Sequence, residues 1–274
     1  MNPAYRTKII LLGTGTPNAE PDRSGPSVAI VVGETPYVFD FGPGVVRRAA
    51  AAGIPVCSLN KAFLTHLHSD HTAGYPDLIL TPWIMGRVEP LEVYGPPGIK
   101  EMTEHILTAY EQDIHERLHG LEPCNTTGYH VRAHKIEPGF IYTDSNVRVE
   151  AFPVDHGSFK AFAFKFYTPD RTIVISGDTA PTERMIKESR HCDVLIHEVY
   201  SAKGFQTHSL NWQQYHKRVH TSSHELAAIA SQANPGLVVL YHQLFWGVSA
   251  DELVAEIKEM YHGKVVSGKD LDIY

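Results

Sequence analysis

Short apolar runs, many rich in Val and Ile, punctuate the chain from end to end: KIILLG, SVAIVV, PYVFDFG, KAFLTH, LEVYG, NVRVEAFPVDH, FAFKFYT, RTIVISGD, DVLIHE and GLVVLYH. β-Branched and aromatic residues suit a pleated, buried surface, so each run reads as a strand. Helical spacing alternates with them, chiefly in GVVRRAAAAG, GIKEMTEHILTAYEQDI, APTERMIKES, SSHELAAIASQA and SADELVAEIKEMY. Ser223 before His224 and Glu225, and Ser249 before Asp251 and Glu252, read as helix starts with acid in the first turn. Strands mixed with helices restrict the chain to a layered α/β architecture. No low-complexity tract, linker or short-period repeat divides it, so residues 1–274 are expected to form a single domain.

Chemistry sits at the ends of these runs. The strand AFLTH leads into H-x-H-x-D-H, which places His66, His68, Asp70 and His71 within six positions. A lone histidine is usually an ordinary core or surface residue. Imidazoles and a carboxylate at this density are what Zn²⁺ and similar borderline ions bind. Alternate residues of an extended chain share a face, so His66 and His68 point the same way. A turn at Asp70 would aim Asp70 and His71 elsewhere. One ion cannot easily use all four, whereas two adjacent ions can, so the stretch reads as half of a two-metal site. Three more runs end directly before a polar side chain: His156, Asp178 and His242. Strand ends on one rim of a sheet are where open α/β folds build their sites.

Other motifs are weaker. LLGTGTPNAEP falls short of a dinucleotide loop, because Asn18 stands where the third glycine belongs and Pro17 would disturb the helix start. A tight turn beside a site is the better reading. HEVYS is not H-E-x-x-H, because Ser201 replaces the second histidine. The aromatic and His-rich segment 200–220 has two readings. One is a lid or pocket wall, and the other is an ordinary helix packing Trp212 and Tyr215 into the core.

Bulk properties bound the partners. With 43% hydrophobic and 20% charged residues, the chain has a globular composition. A net charge of −7 with neutral histidines disfavours long nucleic acids, which need clustered Lys and Arg. Cys57, Cys124 and Cys192 form no C-x-x-C and suit a reducing compartment, with thiols buried or inert. The N-terminal MNPAYRTKIILLGTG lacks a signal-peptide core, and no 18-residue apolar run is present, so a cytoplasmic protein without a membrane partner is expected.

The pattern as a whole resembles the metallo-β-lactamase fold superfamily. It matches in H-x-H-x-D-H at 66–71, His156, Gly177-Asp178, His242 and the Asp40 of YVFDFGPG. The resemblance implies a four-layer αβ/βα sandwich. It also implies a binuclear centre, with His66, His68 and His156 on one ion and Asp70, His71 and His242 on the other. Asp178 would bridge the ions, and Asp40 would support the metal-bound histidines from behind. Zn²⁺ is the expected metal, with Mn²⁺ or Fe also suited to mixed N/O donors. His68 argues against the di-iron redox members, which place Glu there.

A finer resemblance is to the ribonuclease Z branch, through LGTG at 12–15, YGPPG at 94–98, His197-Glu198, and His220-Thr221-Ser222 before an Ala-rich helix. It implies that Glu198 orients His220, that His220 contacts the scissile phosphate, and that the protein is a homodimer. On such a centre Asp70 can orient the attacking water and accept its proton, and His220 can protonate the leaving oxygen. Members that process tRNA carry a long arm, in several cases between the motif His and the Gly-Asp. Here only residues 157–177 intervene. Together with the acidic balance, this directs the expectation to a phosphodiesterase acting on small phosphodiesters. Arylsulfatase or lactone hydrolysis on the same centre is the first alternative. Removal of tRNA 3′ trailers ranks lower. A non-catalytic binding module ranks lower still, since it would be expected to have lost ligands.

Overall fold

The computed structural model describes residues 7–274, so the first six residues of the N-terminal stretch lie outside the described residues. The chain divides into two compact units. One holds the chain through Gly13, Pro17–Ile136 and Asp270–Tyr274, and the other holds Thr14–Thr16 and Glu137–Lys269.

Among the described residues, the first unit builds a six-stranded sheet in sequence order. Its strands are β1 (Thr7–Gly13), β2 (Ser27–Val32), β3 (Thr35–Phe39), β4 (Lys61–Phe63), β5 (Leu91–Gly95) and β6 (Val131–Lys135). β1 to β3 form an antiparallel meander, and β3 to β6 run parallel. The parallel connections carry α1 (Val45–Ala51), α2 (Ser69–Thr72), α3 (Tyr75–Ile84), α4 (Ile99–Ala109) and α5 (Glu111–His119). Phe41, Tyr75, Leu78 and Trp83 from the loops and helices close over Ile10, Val38, Ala62 and Val93 of the sheet. Burial of such side chains stabilises by roughly 1.5–3 kcal/mol each. This packing fixes the ends of β3 and β4, from which the first set of site residues projects.

The second unit holds β7 (Gly139–Thr143), β8 (Arg148–His156), β9 (Phe159–Tyr167), β10 (Thr172–Ile175), β11 (Val194–Tyr200), β12 (Val238–Leu244) and β13 (Val265–Ser267). Their order runs β13-β12-β11-β10-β9-β8-β7. β7 to β10 pair antiparallel, and β10 to β13 pair parallel. The helices are α6 (Glu183–Ser189), α7 (Ala202–Phe205), α8 (Leu210–Val219), α9 (Ser223–Ala233) and α10 (Ala250–Lys258). α9 and α10 lay Leu226, Ala230, Leu253 and Ile257 on the strand residues Val199, Val238 and Leu240.

All the apolar runs read as strands form strands. The mixed α/β class holds, and both sheets carry helices. Four details differ from expectation. The helix expected across GIKEMTEHILTAYEQDI breaks at Tyr110, whose φ of −103° and ψ of 14° leave the helical region. The cap of α9 is Ser222, one residue early, because Ser222 and Glu225 close a reciprocal capping box while the Ser223 hydroxyl turns to the buried Glu256. Cys57 is exposed, and Cys124 is half-buried. Segment 200–220 is largely helical, but Trp212 and Tyr215 remain 56% and 42% exposed, so neither packs into the core. Among the described residues, no helix is long and apolar enough to cross a membrane.

Candidate metal centre

The first unit brings together Asp40, His66, His68, Asp70 and His71. Asp40 follows β3 with φ of 55°, a left-handed conformation that Asp tolerates better than most residues. Its carboxylate becomes a hub. Oδ1 accepts from the Thr65 amide at 2.8 Å, and Oδ2 accepts from the Thr65 hydroxyl at 3.0 Å and His71 Nδ1 at 2.8 Å. Thr65 gives its single hydroxyl proton to Asp40. Its oxygen is then an acceptor for His66 Nδ1, 2.9 Å away. One buried carboxylate thus sets the tautomer of His71 directly and of His66 through Thr65, which puts the lone pair of each ring on Nε2. Thr65 was not singled out from the sequence, since nothing but its position before His66 marks it.

His66 Nε2 and His68 Nδ1 converge to 3.0 Å. His68 caps α2, and the chain turns as anticipated, with Asp70 Oδ2 lying 3.5 Å from His71 Nε2. Three glycines permit this turn to lie close to the loop after β3. A Cβ on Gly42 would stand 2.4 Å from the Asp70 carbonyl oxygen, one on Gly74 2.3 Å from the Gly42 oxygen, and one on Gly25 2.9 Å from the Asp70 oxygen. Only glycine fits such backbone approaches.

The second unit gathers His156, Asp178, Glu198, His220 and His242. His156 ends β8 and donates from Nδ1 to the Val219 carbonyl at 2.8 Å, which again places the lone pair on Nε2. Asp178 follows β10 through Gly177, whose φ of 59° turns the chain. Asp178 Oδ2 lies 3.4 Å from His242 Nε2, 3.9 Å from His156 Nε2 and 4.0 Å from His220 Nδ1. His242 has φ of 43° and sits where the register between β11 and β12 shifts, as a bulge residue. A bulge re-aims a side chain out of the strict alternation of a strand. The rings of His220 and His242 lie nearly parallel, with centroids 5.7 Å apart. Asp178, His220 and His242 are buried and can offer their donor atoms to one ion.

Glu198 is wholly buried in β11. Its Oε1 accepts from the amides of Thr179 and Thr221 at 3.2 and 3.0 Å and faces His220 Nδ1 at 3.2 Å. Burial, reinforced by the neighbouring Asp178, pushes its carboxyl well above the ordinary carboxylate range, against the pull of His242 and the two amides. Adjacent His197 points elsewhere. Its Nδ1 lies 2.6 Å from the Glu198 carbonyl oxygen, and burial lowers its pKa to about 4, so it is a neutral core imidazole. Val219, Thr179 and Thr221 act here through backbone atoms, which carry no signal in a sequence.

Both donor sets suit a divalent ion. They are imidazoles and carboxylates with no thiolate, all buried except the half-buried His68, and His66, His71 and His156 are each held through Nδ1 with the lone pair on Nε2. Such mixed N/O donors fit Zn²⁺, Mn²⁺ or Fe.

The model of the Beta-lactamase superfamily domain matches residues 37–243, which defines the class as a metallo-β-lactamase-fold hydrolase. The chain is 34% identical over 242 residues to Ribonuclease Z of Mycobacterium bovis (strain BCG), covering 86% of this chain and 85% of that one. Among solved structures it is similar to the metallo-β-lactamase fold protein YhfI from Bacillus subtilis (TM-score 0.77, 20% identity, 98% of each chain). It is also similar to the short form of human tRNase Z (TM-score 0.73, 21% identity, 97% of this chain and 98% of that one). The chain belongs to the ribonuclease Z-like branch of the metallo-β-lactamase fold superfamily. Divalent metal binding goes with that fold.

Proposed function

We propose that this chain is a binuclear metal-dependent phosphodiesterase that cleaves RNA, in the manner its curated relatives' name describes. That name weighs against the expected preference for small esters. The observation carrying the reading is the buried Glu198–His220 pair at 3.2 Å, beside Asp178. A phosphodiester with an alkoxide leaving group needs a proton donor, and this pair could supply it.

In this reading His66, His68 and His156 would hold one ion, Asp70, His71 and His242 would hold the other, Asp178 would serve both, and the whole chain would work as one catalytic domain. Zinc is the proposed metal. When bound, the ions lower the pKa of a water and polarise the phosphoryl oxygens. Asp70 would orient the attacking water and accept its proton. His220 would deliver a proton to the leaving oxygen, with Glu198 holding its Nδ1. Asp40 keeps the tautomers of His66 and His71 fixed through the cycle. A homodimer, implied by the branch resemblance, belongs to the same proposal and is read by light scattering.

A second reading, hydrolysis of small phosphodiesters, is favoured by one feature. Between His156 and Asp178 the chain makes only a tight turn at Gly157, strand β9 and a return into β10. The test is direct. Zinc-loaded protein is given a pre-tRNA with a 3′ trailer, bis-p-nitrophenyl phosphate, an aryl sulfate and a lactone. Site-specific cleavage of the RNA supports the main reading. Turnover of the aryl phosphodiester with intact RNA replaces it by the second, and preference for sulfate or lactone overturns both.

A further inference from the structure

We propose that α8 and Trp246 form a base-stacking subsite, which takes the RNA nucleobase next to the phosphodiester served by His220. The proposal rests on the ribonuclease reading above and names how that substrate is held.

A ladder of rings leads to His220. Trp246 packs against His208 and His216, with centroids 4.5 and 4.6 Å away. Trp212 stacks on His216 at 5.5 Å and 23°, and Tyr215 stands edge-on to Trp212 at 5.7 Å. His216 in turn lies 5.5 Å from the ring of His220. The inner rings are sheltered, whereas Trp212 and Tyr215 are exposed and close the ladder with open aromatic surface.

Two polar atoms inside the ladder have no partner. Nδ1 of His216 and Nε2 of His208 are buried, with no hydrogen bond among the described residues. Buried polar atoms are almost always paired, so two in one cluster of rings are unusual. The open aromatic surface of Trp212 and Tyr215 suits a flat ligand that stacks on it. A nucleobase is such a ligand.

Charge narrows the choice to a nucleic acid. The chain is acidic overall, yet residues 199–224 contain no Asp or Glu and carry Lys203, Lys217 and Arg218. Lys203 is bonded to Glu252. Lys217 and Arg218 are exposed in the last turn of α8 and make no ion pair among the described residues. A stacking surface flanked by unneutralised cations is how single-stranded nucleic acid is gripped. Taking P–O3′ as the bond broken, the water oxygen joins phosphorus, the 5′-phosphate stays on the downstream strand, and the base that falls here is that of the upstream nucleotide, which departs with a 3′-hydroxyl.

The probe is therefore a decaribonucleotide ending in a 3′-hydroxyl, which is a product and is not turned over. It is compared with the same oligomer lacking its terminal base, with zinc-loaded protein at one fixed salt concentration. The intact probe should bind roughly tenfold more tightly than the abasic one, the scale of a single base–aromatic stack. In Trp212→Ala/Tyr215→Ala the two probes should bind alike, and Trp212→Phe should restore the difference. Both changed side chains are exposed, so the fold tolerates the change. Equal binding of both probes by the natural chain, or an undiminished difference in the double variant, overturns the subsite. If the natural chain cleaves RNA but shows no base dependence, the subsite alone falls. If it discriminates the base yet cleaves no RNA, the ribonuclease reading falls and the subsite stands as a nucleotide site.

Discussion

Nδ1 of His220 lies 3.2 Å from Oε1 of Glu198, and the same carboxylate oxygen accepts the amides of Thr179 and Thr221. The carboxylate cannot swing without abandoning two backbone donors. The imidazole it holds is therefore positioned by the sheet rather than by its own rotamer.

If that pair delivers a proton to the leaving oxygen, His220→Ala should keep its metal and lose about 10²–10⁴ in turnover. Glu198→Ala should lose much of the same factor, and the double variant should be little worse than His220→Ala, since residues acting as a unit are not additive. The loss should shrink for p-nitrophenyl esters, whose leaving group needs little protonation. His220 also stands close enough to Asp178 and His242 to share an ion with them. Metal analysis of His220→Ala decides between the roles: retained metal marks a proton donor, and lost metal marks a ligand.

The metal itself is tested by removal. Protein dialysed against a chelator should lose all hydrolysis and regain it with Zn²⁺ or Mn²⁺. Elemental analysis should find up to two ions per chain. His68→Ala should lose metal and activity together, and uptake equal to the natural chain would remove His68 from the ligand set.

Asp40→Ala removes the acceptor of the Thr65 amide, the Thr65 hydroxyl and His71 Nδ1. Stranding buried donors costs about 1–3 kcal/mol each, so urea unfolding should shift by roughly 3 kcal/mol or more. Asp40→Asn keeps the shape and the left-handed conformation but offers one acceptor oxygen in place of two. It should fold, and bind metal about 10–100-fold more weakly.

Gly42→Ala introduces a Cβ 2.4 Å from the Asp70 carbonyl oxygen. Backbone must move, at a cost of about 1–3 kcal/mol. The displaced atom belongs to Asp70, so hydrolysis should fall further than stability accounts for when assayed well below the melting temperature. Unchanged kcat in a destabilised variant would show that the loop gives way without moving the site.

His197 titrates near 6.5 when unfolded, and folding lowers it to about 4. Between these values the unfolded chain binds the extra proton. The contribution is fully present above pH 6.5 and is lost as pH falls toward 4. Metal-free protein in chelator should therefore lose about 2 kcal/mol on going from about pH 7.5 to 5 through this residue alone. His197→Gln should lack that part of the slope in urea titrations, and an identical slope would mean that His197 is solvated in the folded state.

Much of this protein was readable before any coordinate. The apolar runs form the strands because each carries enough Val, Ile and Phe to bury itself whatever its neighbours do. His66, His156, Asp178 and His242 could be named because each closes such a run, and His68, Asp70 and His71 because H-x-H-x-D-H follows the first of them. Elements without that local signature were missed. β6 and β7 are half polar, and α3 begins Tyr75-Pro76 with a second proline inside it. Three decisions at the site belong to the tertiary structure alone. Thr65 relays Asp40 to His66, the left-handed Asp40 and His242 turn their side chains out of strand alternation, and the Val219 carbonyl fixes the tautomer of His156. Each depends on a partner distant along the chain or on a shift in strand register. Local composition sets which residues are buried and which are donors. The direction in which a donor atom points is set by long-range hydrogen bonds, which exist only once the chain has folded.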